Sequence, residues 1–94
     1  MSQAEAEALV MALLEEIQTK CGLEKVTSTY DTCPLLDIPG FDSLLALEAC
    51  VELEAKIGVC TEENHFVGDG DQPRTVRGIA ASLRSALEEH VEQR

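Results

Sequence analysis

The chain predicts an all-α fold: a small bundle of three longer helices plus one short helix, with a long loop between the first and second helix. Three observations predict it. Three stretches carry Leu, Val, Ile and Ala at the spacing of an amphipathic helix, each stretch is bounded by capping residues, and no segment alternates apolar and polar residues as a strand would. With 94 residues, the whole chain (1–94) reads as a single domain.

The first helix opens on Ser2-x-x-Glu5, a capping box in which each side chain satisfies an otherwise orphaned backbone N–H. Ala6, Val10, Leu13, Leu14 and Ile17 share one face, and Cys21-Gly22 ends the helix. Residues 23–41 read as the long loop. Thr27, Ser28, Thr29, Asp31 and Thr32 form turns, Pro34 and Pro39 deny a continuous helix, and Leu35, Leu36 and Ile38 are expected to anchor the loop to the core. The second long helix runs from about Ser43 to Ile57, with Asp42 as its N-cap and Gly58 as its stop. Thr61 to Phe66 is expected to form the short helical turn, capped by Thr61, and Gly68 to Pro73 is expected to be a loop. The last helix begins after Pro73 with Thr75 as cap, and Val76, Ile79, Ala80, Leu83, Ala86 and Leu87 form its apolar stripe.

Composition excludes several function classes. Seven Lys and Arg against eighteen Asp and Glu leave a net charge of −11. Phosphate backbones and anionic membrane surfaces need a basic footprint, so neither nucleic acid nor membrane is expected as a partner, and basic proteins are the natural counterpart. Ala8 to Leu14, the longest apolar run, is far too short to span a bilayer, and Met1 to Glu5 lacks the basic start of a signal peptide. A cytoplasmic monomer is the expectation. Cys21, Cys33, Cys50 and Cys60 include no Cys-x-x-Cys pair, so neither a disulfide framework nor a zinc site is expected, and the four read as small apolar residues in or near the core. A calcium loop starting at Asp69 fails because its fifth position is Pro73 and its twelfth Ala80. His65 and His90 stand isolated in sequence, which argues against a catalytic site; His90 is expected to pack or to cap a helix end.

The second long helix carries two apolar stripes. Ala46, Ala49, Cys50, Leu53 and Ile57 make one, taken as the core face; Leu44, Leu47 and Val51 make another, bordered by Glu48 and Glu54. Either the long loop covers Leu44 and Leu47, or the second stripe meets a partner. An apolar centre with carboxylates at its rim has the composition of a recognition surface.

Gly40-Phe41-Asp42-Ser43-Leu44 resembles the signature of acyl carrier proteins, in which a Gly-x-Asp-Ser-Leu segment opens the second helix. The context is similar too. The motif follows a long loop after an amphipathic helix, starts a Glu-bearing helix closing on Ile57-Gly58-Val59, and precedes a final helix opened by Thr75-Val76, so the resemblance spans about Ala4 to Leu87. It implies an acyl-carrier-type bundle with no catalytic activity of its own. Ser43 would carry 4′-phosphopantetheine, derived from coenzyme A, in phosphodiester linkage, and Asp42, Leu44, Leu47, Glu48, Val51 and Glu54 would meet partners. Those partners would be a phosphopantetheinyl transferase, an acyl-loading ligase or transferase, and synthase-type enzymes with basic docking patches. No metal ligand is implied in the chain itself. Leu45 stands where many fatty-acid carriers have an acidic residue, and 68–73 looks like an insertion. The resemblance implies delivery of acyl cargo to enzymes of a fatty-acid, polyketide or related specialised pathway, and these departures, with the four cysteines, favour a specialised pathway over the housekeeping fatty-acid carrier. Phe41 leans towards acyl over peptidyl or aminoacyl cargo. The alternatives are a peptidyl carrier and a helical adaptor without prosthetic group.

Overall fold

The computed structural model describes residues 1–61 and 63–92, with side chains through Glu89. It is an all-α bundle: α1 (Gln3–Lys20), α2 (Pro34–Asp37), α3 (Ser43–Ile57) and α4 (Val76–Glu92), with a 3-10 turn at Asp69–Asp71. No strand occurs among the described residues; Val67 and Pro73 form one isolated antiparallel bridge. No described helix is long and apolar enough to cross a membrane.

The ends of the helices follow their local chemistry. Ser2 and Glu5 form the reciprocal capping box, with the Glu5 N–H donating to Ser2 Oγ at 3.1 Å and the Ser2 N–H to Glu5 Oε1 at 3.0 Å. These bonds, the Ser2 backbone donor foremost, hold the Glu5 carboxyl below its ordinary range. At the other end of α1, Gly22 adopts φ +67°, and the Leu23 N–H reaches back to the Gln18 carbonyl at 2.9 Å, closing a Schellman turn.

The long loop is tied down by polar groups as well as by apolar anchors. Buried Gln18 accepts the Val26 N–H at 2.6 Å and donates to the Leu14 carbonyl at 3.1 Å, fastening the loop to α1. The carbonyls of Tyr30 and Thr32 accept the N–H groups of Arg77 (2.9 Å) and Val76 (2.8 Å), so the loop satisfies the first-turn donors of α4. Thr75 adds the expected cap, taking the Gly78 N–H on its hydroxyl at 3.3 Å.

Two expectations for the short elements are corrected. The short α-helix lies inside the long loop, at Pro34–Asp37. Pro34 starts it instead of preventing it, because at the first helical position the missing N–H is an orphan anyway. Asp37 secures the turn by accepting the Cys33 N–H at 2.7 Å. The described residues of the 61–66 segment are not helical. There the side chains take over local bonding: Asn64 Oδ1 accepts the Phe66 N–H at 3.0 Å and Thr61 Oγ1 the Glu63 N–H at 3.3 Å, in place of backbone carbonyls. Glu62 of that segment lies outside the described residues, as does the side chain of His90. Within the expected loop at 68–73, the 3-10 turn at Asp69–Asp71 is the other difference.

The core joins Val10, Leu13, Leu14 and Ile17 of α1 to Ala46, Ala49, Cys50 and Leu53 of α3 and to Val76, Ile79 and Leu83 of α4. Phe41 and Phe66 complete it, their ring centroids 5.4 Å apart. Ile38 is buried and Leu35 half-buried as anchors, but Leu36 is 73% exposed and anchors nothing. Of the cysteines, Cys33 and Cys50 are buried as expected and Cys21 and Cys60 are exposed; all four are free thiols.

Candidate functional site

Each residue of the Gly40-Phe41-Asp42-Ser43-Leu44 segment has a distinct structural task. Gly40 turns the chain at φ +83°, and a β-carbon there would lie 2.8 Å from Leu23 Cδ2. Phe41 plugs the core, its N–H bonded to the Ile38 carbonyl at 3.1 Å. Extended at φ −110°, Asp42 caps α3: Oδ1 accepts the Leu45 N–H and its carbonyl the Ala46 N–H, both at 3.0 Å. Ser43 is thereby presented, exposed, as the first residue of α3.

The amides of Ser43 and Leu44 precede the first intrahelical bond of α3, so Ser43 sits where free N–H groups and the positive end of the helix dipole favour an anion. No described side chain hydrogen-bonds its hydroxyl.

The two stripes of α3 separate as the periodicity predicts. Ala46, Ala49, Cys50 and Leu53 are buried and Ile57 is half-buried. Leu44, Leu47 and Val51 are 64%, 50% and 69% exposed, so the long loop does not cover them. Glu48 and Asp42 are exposed alongside. The result is an apolar strip running away from Ser43 with carboxylates beside it.

Glu54 departs from the expectation of a rim charge. It is buried, one position past core Leu53, and its carboxylate turns inward to the segment after α3. His65 Nε2 lies 2.7 Å from Glu54 Oε2, and Thr61 contributes its N–H at 3.2 Å and its hydroxyl. Burial alone would push the Glu54 carboxyl up, but the Thr61 and His65 bonds together outweigh it and hold the group below its ordinary range. On its other side, His65 Nδ1 is 2.7 Å from Ser82 Oγ of α4, and its backbone N–H donates to Cys50 Sγ at 3.2 Å. Burial raises the Cys50 thiol, leaving it a packing residue.

His65 is therefore not isolated. It joins α3 to α4 through partners 11 and 17 residues away, a separation that helical periodicity cannot reveal. The signal available was indirect: a carboxylate beside a core leucine needs a buried partner.

Comparisons with protein-family models, with curated proteins and with solved structures find no match to this chain.

Proposed function

We propose that the protein is a carrier that holds acyl intermediates as thioesters on a 4′-phosphopantetheine arm attached to Ser43 and delivers them to partner enzymes. The observation that carries this reading is an exposed Ser43 at the first position of α3, capped by Asp42 and followed by the exposed strip Leu44–Leu47–Val51. The site residues suit such a group. The Ser43 hydroxyl lies at a helix N-terminus, where a phosphodiester is favoured, and the surface beyond it is open to solvent along α3. The arm, when attached, supplies the thiol that binds cargo; the chain itself supplies presentation and recognition.

In this reading Asp42 does two things: it orders the start of α3 and offers a carboxylate to the transferase that modifies its neighbour. Leu44, Leu47 and Val51 form the apolar centre of the docking strip, and Glu48 its charged rim. Glu54 belongs to the interior and is left out of this surface. The partners are a phosphopantetheinyl transferase, an acyl-loading ligase or transferase, and synthase-type enzymes with basic docking patches, of a fatty-acid, polyketide or related specialised pathway. Incubation with coenzyme A, magnesium ion and a broad-specificity phosphopantetheinyl transferase, followed by mass spectrometry, tests the reading.

A further inference from the structure

We propose that Ser82 is a second reactive serine of this protein, an activated nucleophile that accepts acyl groups from small activated esters or thioesters. The inference is independent of Ser43 and of any prosthetic group. It rests on one cluster, in which a hydroxyl, an imidazole and a carboxylate are bonded in series. Ser82 Oγ is 2.7 Å from His65 Nδ1, and His65 Nε2 is 2.7 Å from Glu54 Oε2. A nucleophile bonded to a base that is itself oriented by a third group is the arrangement that activates a serine hydroxyl.

The members are held as their roles require. Glu54 is fixed by the Thr61 N–H and hydroxyl and stays ionised at neutral pH, since its carboxyl is held low. An ionised carboxylate accepts only, so the neutral imidazole carries its proton on Nε2 and leaves the Nδ1 lone pair for the serine hydroxyl. His65 is fully buried and cannot be reached by an electrophile, whereas Ser82 is partly exposed. Ser82 also borders a cavity of about 460 Å³ shared with Glu63, Arg74, Ser85 and Glu89. The aliphatic stem of Arg74 runs past Gly78 there: a β-carbon on Gly78 would lie 3.4 to 3.6 Å from Arg74 side-chain carbons, an ordinary contact. Arg74 brings a positive charge to the lining of the same cavity, its guanidinium lying towards Gly68.

The step balances without a further reactant. Ser82 Oγ attacks the carbonyl carbon and its proton passes to His65 Nδ1. Glu54 stabilises the imidazolium. The carbon–sulfur or carbon–oxygen bond of the donor then breaks, and the leaving thiolate or alkoxide takes the proton from Nδ1. The products are an ester at Ser82 and a free thiol or alcohol. Glu54 acts here as a positioning residue, touching only the base.

Ser85 is the internal control, because it lines the same cavity but makes no bond to His65. The full unmodified chain is treated with an alkyl fluorophosphonate. The serine oxygen forms a bond to phosphorus, fluoride leaves, and the irreversible adduct is mapped by mass spectrometry. Ser82 should be labelled at least about 10²-fold faster than Ser85, the scale of general-base assistance. Glu54→Gln should lower the Ser82:Ser85 ratio by about tenfold or more with Ser85 labelling unchanged. Should that variant fail to fold, the wild-type Ser82:Ser85 ratio decides alone. Equal labelling of the two serines would overturn the proposal.

Discussion

His65 and Glu54 meet inside the bundle, Nε2 to Oε2 at 2.7 Å, and this pair fastens the segment after α3 to the helix it leaves. Breaking a buried pair from one side is costly because the surviving partner stays in low dielectric without compensation. Glu54→Lys, which puts a cation in the interior in place of the carboxylate that His65 and Thr61 bond, should destabilise the fold by about 3–5 kcal/mol, read as a drop in chemical-denaturation midpoint.

The same pair sets a pH dependence. The Glu54 carboxyl is held below its ordinary value in the folded chain. Its contribution is therefore complete above the unfolded carboxylate pKa, about 4.3, and is lost as pH falls through the lower folded value. Wild-type stability should decline through that acid window more steeply than that of Glu54→Gln. Parallel acid-titration curves for the two proteins would contradict the assignment.

Charge on the exposed side of α3 should behave differently. Glu48 is exposed, so Glu48→Lys should change stability by no more than about 0.5 kcal/mol while slowing encounter with a basic partner, most strongly at low salt. Leu53→Ala should do the reverse, destabilising by about 2–5 kcal/mol, since Leu53 is fully buried. Stopped-flow association and thermal melting on the same two variants separate the roles.

Much of this was legible beforehand, for identifiable reasons. The boundaries of α1 and α3 follow from local chemistry: the Ser2–Glu5 box, Asp42, Gly22 and Gly58 act within four residues of themselves. The separation of Leu44, Leu47 and Val51 from the core stripe follows from periodicity, which assigns residues to faces. What periodicity left open, whether the loop covers that face, depends on where 23–41 is tethered. That is decided by Gln18 with Val26 and by the Tyr30 and Thr32 carbonyls at the start of α4, contacts up to 47 residues apart. Pro34 was misread because a proline marks a helix start as readily as a break. The inward turn of Glu54 is not legible in the periodicity of α3, because its partners, Thr61 and His65, lie beyond that helix.

Gly40 offers a test of the segment that presents Ser43. Its φ of +83° disfavours any side chain, and a β-carbon would press on Leu23. Gly40→Ala should cost about 1–3 kcal/mol and disturb the approach to α3. Unchanged thermal stability would show that this turn relaxes freely.

Self-repulsion among eighteen carboxylates should loosen the bundle at low ionic strength. Raising salt from about 10 to 150 mM, which shortens the Debye length from roughly 30 to 8 Å, should raise the melting temperature. A flat response would mean the charges are too dispersed to matter.

The central claim is that Ser43 is a handle displayed by α3 for a covalent phosphate-linked arm. The most direct measurement is the intact mass of the chain after treatment with coenzyme A, magnesium ion and a broad-specificity phosphopantetheinyl transferase, with the adduct mapped by fragmentation. The account predicts one phosphopantetheine per chain, on Ser43, and none on Ser43→Ala, whose helical circular dichroism should match the wild type because the exposed hydroxyl supports no fold contact. A chain that stays unmodified with several such transferases, or that gains the group at another serine, would contradict it.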